Sequence, residues 1–197
     1  MERVRGLYGI VGGPDPERLG RALLTGGCRL LQLRWKERPA DDIIEVGRQL
    51  RTACDGVGAL LIANDDPEIG AAFGADGVHL GQTDGPVAHA RRHLPAGLVG
   101  RSTHTPDDVA AAVAEGADYL GFGPMYATPN LSRPKDVRGP DALRAVRGLT
   151  RLPIVAIGGI TAANLTEIRA AGADAWAVIA AVADAADPVA ATRALLG

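Results

Sequence analysis

At 197 residues with a formal net charge of −2, the chain has the length of one domain with a sizeable core. Its basic residues are scattered, which argues against a nucleic-acid-binding protein. No apolar run reaches the ~18 residues of a membrane helix, and the N-terminus lacks a signal-peptide pattern, so we expect a cytoplasmic protein without a membrane partner. Cys28 and Cys54 lack metal-ligand spacing and are expected to be buried and reduced.

Short apolar runs alternate with helix-length segments along the chain, a pattern typical of parallel βα units. The predicted strands are Gly6 to Val11, Leu30 to Arg34, Ala59 to Ala63, Gly77 to Leu80, Leu98 to Arg101, Tyr119 to Gly121, Ile154 to Ile157 and Ala175 to Ile179. The predicted helices are Asp15 to Thr25, Ala40 to Ala53, Pro67 to Phe73, Pro86 to His93, Pro106 to Glu115, Pro140 to Gly148, Ala162 to Ala171 and Pro188 to Leu196.

A phrase recurs at residues 73–81, 115–123 and 171–179, in which a helix end and a glycine are followed by Ala-Asp and a strand. Repetition of this kind favours a barrel of similar units. An open doubly wound sheet would place its phosphate turn after the first strand, and GIVGGPDPE lacks the GxGxxG spacing. We therefore predict a single (β/α)₈ barrel domain over residues 1–197, although ~250 residues is the typical size.

A pair of glycines, Gly158 and Gly159, follows the buried apolar run that ends at Ile157, and Ile179-Ala180 closes the next strand. Loops after strands seven and eight of such barrels often bind phosphate, because small residues let backbone N–H groups approach the anion. The pattern therefore predicts a phosphorylated ligand. The alternative is that the two glycines form only a tight turn.

Polar side chains alternate at the end of strand two, where Gln32, Arg34 and Lys36 share one face of an extended segment. A guanidinium and an ammonium at the barrel mouth suit a phosphate or diphosphate. Lysine is otherwise found only at Lys135, which suggests that both lysines serve a purpose. The alternative is an exposed basic edge.

Acidic residues follow the next two strands, in Asn64-Asp65-Asp66 and at Asp84. Mg²⁺ usually takes one or two carboxylates and completes its octahedron with water and phosphate oxygens. Asp65 and Asp84 are therefore candidate magnesium ligands. Asp66, before a proline, has the pattern of a helix N-cap, and Asp65 could be one as well.

Ser102 and His104 close strand five, and no third partner for a nucleophilic triad is apparent, so ligand contact or helix capping is favoured over covalent catalysis. An acid/base role for His104 stays open. The longest loop, 122–138, has the character of a lid. Its anion-binding residue types are Thr128, Ser132, Arg133 and Lys135. A rigid surface loop is the alternative.

Seven segments together give the chain a family resemblance. They are QLRWKE, IANDD, GADGVHLGQTD, GRSTHT, GADYLGFGPMYATP, PIVAIGGI and GADAWAVIAAV. In this order, over nearly the full chain, they resemble thiamine phosphate synthase. The resemblance implies a (β/α)₈ barrel that joins 4-amino-5-hydroxymethyl-2-methylpyrimidine diphosphate to 4-methyl-5-(2-phosphoethyl)thiazole and releases pyrophosphate.

Carried over by position, the resemblance implies Mg²⁺ at Asp65 and Asp84. It assigns substrate binding to Gln32, Arg34, Lys36, Asn64, Ser102, Thr128, Ser132, Arg133, Lys135, Gly158, Gly159, Ile179 and Ala180. The residues it implies for catalysis are Arg34, Lys36, Ser102 and Lys135. The expected partners are the two small-molecule substrates, and a homo-oligomer is left open.

The chain departs from the family pattern at three places. Gly12-Gly13 replaces the usual Thr-Asp after strand one, the lid at 127–135 leaves the register of its Thr and Lys roles open, and Ala180 replaces a serine. The serine hydroxyl would add one hydrogen bond, worth about 0.5 to 1.5 kcal/mol. Two rival interpretations follow: a metal-independent thiazole tautomerase with a histidine at the place of His104, and a non-catalytic protein that binds a phosphorylated ligand.

Overall fold

The structure, a computed structural model, describes residues 4–128 and 136–196. Within these ranges eight parallel strands form a closed barrel in sequential order. The strands are β1 Gly6–Val11, β2 Leu30–Leu33, β3 Leu60–Asn64, β4 Gly77–Leu80, β5 Leu98–Thr103, β6 Tyr119–Phe122, β7 Ile154–Ile157 and β8 Ala175–Val178. The helices are α1 Pro16–Gly26, α2 Ala40–Asp55, α3 Pro67–Phe73, α4 Val87–His93, α5 Pro106–Ala114, α6 Gly139–Arg147, α7 Leu165–Ala170, α8 Ala180–Ala183 and α9 Pro188–Ala194.

Pairing of β1 with both β2 and β8 closes the sheet, with Tyr8 opposite Leu30 on one side and Ala177 on the other. Helices cover the outside of the barrel, so both faces of every strand are covered, as a parallel sheet requires. The predicted (β/α)₈ barrel is confirmed. No helix in the described part of the chain is long and apolar enough to cross a membrane.

Alternation along each strand separates two hydrophobic clusters. In β1, Tyr8 and Ile10 belong to a small cluster inside the barrel, whereas Leu7 and Val11 belong to the larger cluster between barrel and helices. The inner cluster therefore forms the floor beneath the barrel mouth.

One predicted helix boundary near the C-terminus is wrong, and one short helix is absent from the prediction. The seventh helix begins at Leu165 rather than Ala162, because Asn164 Oδ1 accepts the Thr161 N–H and holds residues 161–164 in a turn that places Asn164 at the N-cap. A short helix, α8, also follows β8 directly. The other bounds agree to within two residues.

The recurring Gly-Ala-Asp phrase has a structural reason. Each aspartate, which lies in the loop before an even-numbered strand, accepts a backbone N–H from the preceding strand and pairs with an arginine of an earlier helix. In the described residues these Arg–Asp clamps join Arg51 to Asp76 and Leu61, Arg91 to Asp118 and Val99, and Arg147 to Asp174 and Ile154. Each arginine also donates to a carbonyl two residues before that strand residue, at Ala59, Gly97 and Leu152. The clamps therefore fasten the amino-terminal rim of the barrel.

We expect Asp118→Ala to lower the free energy of unfolding by about 1–3 kcal/mol, because the Val99 N–H and the Arg91 guanidinium both lose their carboxylate. Asp141→Ala is the matched control. Its pair with Arg144 is exposed, with 97% of the Asp141 side chain accessible, and its loss should cost less than about 1 kcal/mol. Urea denaturation measures both variants; equal effects would contradict the role of the clamp.

Candidate active site

A cavity of about 530 Å³ opens where the strands end at their carboxyl termini. It holds most of the predicted site residues. Those lining it are Gln32, Arg34, Lys36, Asn64, Asp65, Asp84, Ser102, Gly158 and Ile179. Because parallel strands share one carboxyl-terminal rim, side chains far apart in sequence meet here. Their placement agrees with the predictions, whereas their roles stay predictions.

One wall of the cavity is formed by Lys36 and the two predicted metal ligands. Lys36 Nζ lies 2.9 Å from Asp65 Oδ2, and the Asp65 carboxyl is hydrogen-bonded to that of Asp84. The Gly81 N–H donates to Asp84 Oδ2 at 2.7 Å and fixes that carboxyl above the end of β4. An ammonium and two carboxyl groups from three separate loops thus share one polar network.

The two carboxyl groups differ in acidity. Burial acts to raise the pKa of Asp65, but hydrogen bonds from Lys36 and Asp84, together with the Lys36 charge, hold it below the usual value. Burial and the adjacent Asp65 carboxylate raise the pKa of Asp84. Asp65 is therefore the more readily ionised member of the pair.

Backbone geometry explains why Asp65, and not its neighbour, points into the cavity. Asp65 has a left-handed conformation with φ of 64°, which aspartate tolerates better than most residues, and its N–H donates to the His79 carbonyl. The next residue, Asp66, accepts the N–H groups of Glu68 and Ile69 and caps α3. The alternative role of N-cap thus falls to Asp66.

The donor set suits a hard divalent cation. The Asp65 and Asp84 carboxyl groups are hydrogen-bonded to each other, and the positive charge of Lys36 offsets one negative charge of the pair. Oxygen ligands of this kind are those that Mg²⁺ prefers. A second group of possible metal ligands, Glu68, His89 and His93, belongs to α3 and α4 and is not among the residues that line the cavity. Its imidazoles suit Zn²⁺, Cu²⁺ or Ni²⁺ better than Mg²⁺.

The opposite wall contains the glycine pair. Gly158 and Gly159 have positive φ values of 102° and 66°, and an added Cβ would meet Pro124 or Tyr126 at 2.7 Å. The Tyr126 N–H donates to the Gly158 carbonyl, so the loop after β6 packs directly on this turn. Gly158 also lines the cavity, so a tight turn and a position at the site coexist. Gly159 and Ala180 lie directly beside lining residues in sequence.

The floor of the cavity contains a polar chain that the sequence did not reveal. The Gln32 amide donates to Tyr8 Oη at 2.9 Å, and Tyr8 Oη lies 3.0 Å from Tyr119 Oη. His79 Nδ1 lies 3.2 Å from Tyr119 Oη, and His79 Nε2 lies 2.9 Å from Ser102 Oγ. We call these five residues the interior chain. The partner of Ser102 is therefore His79.

The groups of the interior chain are uncharged near neutral pH. Burial lowers the pKa of the His79 imidazole to about 4. Burial raises the pKa of Tyr8 and of Tyr119, so both phenols stay protonated. The interior chain is thus a set of neutral hydrogen-bond partners rather than an ion pair.

Two glycines make room for the interior chain. Gly100 lies between His79 and Tyr119 in the strand ladder, and a Cβ there would be 2.1 Å from Tyr119 Cζ. Gly121 lies opposite Ser102, and its Cβ would be 3.0 Å from His79 Cε1. A side chain at residue 100 would overlap the Tyr119 ring, and one at residue 121 would press on the His79 ring, so glycine at these points gives the rings room to reach across the strands.

His104 lines the same cavity but is not part of the interior chain. Its Nδ1 lies 2.6 Å from the Gly123 carbonyl oxygen, and that acceptor requires the ring hydrogen on Nδ1. Its backbone N–H donates to Asp108, which forms a capping box with Thr105 at the start of α5. Its backbone thus contributes to helix capping, as the sequence suggested.

The predicted lid is described only in part. Thr128 is half-buried, whereas Ser132, Arg133 and Lys135 lie outside the described residues. The departure at Gly12-Gly13 has a local explanation. A Cβ at residue 12 would be 2.3 Å from the Arg34 carbonyl oxygen, and Trp35 Nε1 donates to the Gly13 carbonyl. The glycines let the first loop pack against the end of β2.

We expect His79 to make the stability of the protein depend on pH. The folded-state pKa of about 4 lies below the ordinary 6.5, so the unfolded chain binds the extra proton within this window and stability falls as the pH falls through it. The loss of stability between pH 7 and pH 5 should be smaller in His79→Gln than in the wild type. His89→Gln, on the outer helix α4, should keep the wild-type loss. Urea unfolding at both pH values tests this; an unchanged loss in His79→Gln would contradict it.

Comparison with known proteins adds to this geometry. The family model for thiamine monophosphate synthase matches residues 7–182. A thiamine-phosphate synthase of Anaeromyxobacter dehalogenans is 46% identical over 190 residues, which cover 96% of this chain and 85% of that protein. A thiamine biosynthesis bifunctional protein ThiM/ThiE of Symbiobacterium thermophilum is 45% identical over 191 residues, 96% of this chain but only 40% of that longer protein.

The fold agrees with a solved structure as well. A thiamine phosphate pyrophosphorylase from Pyrococcus furiosus superimposes with a TM-score of 0.90 at 33% identity, covering 98% of this chain and 95% of that one. The family match begins within β1 and ends within α8, and so includes each described residue of both walls and of the floor. On these grounds the chain belongs to the thiamine monophosphate synthase family.

Proposed function

We propose that this protein is a thiamine phosphate synthase, which joins an aminopyrimidine diphosphate to a thiazole phosphate and releases pyrophosphate. The observation that carries the proposal is the division of one cavity into two walls. Arg34, Lys36 and the Asp65–Asp84 pair form the first, and the loops at Gly158 and Ile179 form the second. Two phosphorylated substrates require two anion sites on either side of the reacting atoms.

The first wall suits the diphosphate. A guanidinium offers paired donors to phosphate oxygens, and an ammonium adds a mobile point charge. Lys36 already pairs with Asp65 at 2.9 Å, so binding of a diphosphate would redistribute contacts within an existing network. Asn64, which ends β3, adds an amide to the same wall.

Asp65 and Asp84 would hold the Mg²⁺ ion, since their carboxyl groups meet at the edge of the diphosphate wall. The bound ion would supply positive charge that stabilises a leaving pyrophosphate. Lys36 and Arg34 supply charge of the same sign from the protein itself.

The floor and the second wall suit the remaining parts of the substrates. Gln32 and Ser102 present an amide and a hydroxyl to the pyrimidine ring. Gly158 and Gly159, with Ile179 and Ala180, are proposed to receive the thiazole phosphate through backbone N–H groups. The lid residues proposed to bind the substrates are Thr128, Ser132, Arg133 and Lys135.

The chemistry requires no protein nucleophile. The bond between the pyrimidine methylene carbon and the diphosphate oxygen breaks, the electron-rich aminopyrimidine stabilises the carbon cation, and the thiazole nitrogen captures it. The protein's task is to orient both substrates and to stabilise negative charge on the leaving group. Ser102 bonded to His79 is accordingly a binding group in this proposal.

We expect the purified protein to form thiamine phosphate and pyrophosphate in equal amounts from the two substrates, and to lose this activity when EDTA removes the metal. Chromatography of the thiamine product together with a coupled pyrophosphate assay measures both. A tautomerase using His104 would isomerise a thiazole carboxylate phosphate in the presence of EDTA. A non-catalytic protein would bind the substrates without turnover. Either result would contradict the proposal.

Asp65→Asn should lower kcat/KM by about 100-fold or more, because the neutral amide cannot replace a carboxylate toward the cation or Lys36. Asparagine tolerates the left-handed backbone at this position, so the fold should survive. The matched control is Glu37→Gln, which removes a neighbouring negative charge from a residue outside the main cavity. Wild-type turnover in Asp65→Asn would exclude the proposed metal role.

A further inference from the structure

The interior chain links two groups that reach the cavity floor from different strands. Gln32 lies on β2 and Ser102 on β5, and they are joined through Tyr8, Tyr119 and His79. Gln32, Tyr8 and Tyr119 are all at most 3% exposed, so water has little access to the two links that join them, whereas His79 and Ser102 are half-buried at the cavity surface. The proposed reaction requires no proton transfer along this chain, and its function must be sought in its hydrogen-bond pattern.

Each middle member of the interior chain has one hydrogen to donate. A tyrosine hydroxyl carries one hydrogen, and a neutral imidazole carries one N–H and has one acceptor nitrogen. When one link reverses its direction, its neighbours must reverse as well, or a buried hydrogen faces no acceptor. The hydrogen-bond directions at Gln32 and at Ser102 are therefore coupled.

The direction follows from the orientation of the Gln32 amide. Its Nε2 donates to Tyr8, so Tyr8 donates to Tyr119, Tyr119 donates to His79 Nδ1, and His79 Nε2–H donates to Ser102. Ser102 Oγ then accepts a hydrogen bond from His79, and the Ser102 hydroxyl hydrogen can be donated to an acceptor atom of the ligand. At the other end, the Gln32 amide contacts Tyr8 through Nε2, so its Oε1 is the atom that can accept a hydrogen bond from the ligand.

We infer that the interior chain fixes the polarity of the cavity floor, which accepts at Gln32 and donates at Ser102, and thereby selects an aromatic ring with an amino group beside an unprotonated ring nitrogen. This inference rests on the proposed function, in which that ring is an aminopyrimidine. Tyr8, Tyr119 and His79 are positioning residues, because they act on the ligand through Gln32 and Ser102.

The matched probe is the 4-oxo analogue of the pyrimidine diphosphate. It presents a carbonyl acceptor where the substrate has an amino donor, and a ring N–H where the substrate has an acceptor nitrogen. Binding it would require the whole interior chain to reverse. The diphosphate, which occupies the other wall, is the same in both molecules.

The experiment measures dissociation constants of the 4-amino and 4-oxo pyrimidine diphosphates by calorimetry, with Mg²⁺ and without the thiazole. We expect the wild type to bind the amino form on the order of 100-fold more tightly, the equivalent of about two hydrogen bonds. Tyr119→Phe interrupts the interior chain, so the hydrogen bonds on either side of it can reverse independently. The ratio of the two dissociation constants should therefore fall about ten-fold. Tyr8→Phe should act in the same direction. Tyr126→Phe removes a hydroxyl that donates to Glu167 outside the chain and should keep the wild-type ratio.

The outcomes separate the two proposals. If the amino form binds but Tyr119→Phe and Tyr8→Phe keep the wild-type ratio, the polarity role is wrong while the proposed function stands. If neither pyrimidine diphosphate binds the wild type, the proposed function fails. The inference that the interior chain selects an aminopyrimidine then fails with it. Inorganic pyrophosphate should bind equally to wild type and Tyr119→Phe.

A second measurement needs no variant. Nitrogen-15 NMR of the wild type bound to the amino form should show the His79 hydrogen on Nε2 and an unprotonated Nδ1. A purely structural role for the ring would fit either tautomer. A hydrogen on Nδ1 in this complex would mean that the hydrogen bonds of the interior chain are donated in the opposite direction, and it would overturn the inference.

Discussion

Closure of the parallel sheet is the constraint on which the rest of the molecule depends. Every neighbouring pair of strands is parallel, and β1 pairs with β8 as well as with β2, so the carboxyl ends of all eight strands meet at one rim around one axis. Gln32 and Ser102, on β2 and β5, are brought to one cavity in this way. The chemistry of the site is thus a consequence of where strands end.

The two rims serve different purposes. At the amino-terminal rim, the Arg–Asp clamps tie helices, loops and strands in alternate βα units, and their residues do not line the cavity. At the carboxyl-terminal rim, charged groups are held beside a polar floor whose Tyr119 ring leaves no room for a side chain at residue 100. The apolar layer between barrel and helices stabilises a scaffold that can carry this polar interior.

The sequence predicts the architecture and the charged wall well, for a physical reason. Strand ends can be read from apolar runs, and Lys36, Asp65 and Asp84 lie in the loops that follow such runs. The sequence does not single out Tyr8, His79 and Tyr119, because strands buried on both faces show no polar alternation and so conceal which side chains point inward. The clamp aspartates appeared as a repeat, but their partners Arg51, Arg91 and Arg147 lie in other units, and only the folded structure shows the pairing.

The most direct test of the account is a crystal structure of the protein with thiamine phosphate, pyrophosphate and Mg²⁺. We expect pyrophosphate against Arg34, Lys36 and the Asp65–Asp84 pair, and the phosphate of the organic product against the loop of Gly158 and Gly159. The pyrimidine ring should lie between Gln32 and Ser102. Pyrophosphate bound at the glycine loop, or a metal ion bound away from Asp65 and Asp84, would contradict it.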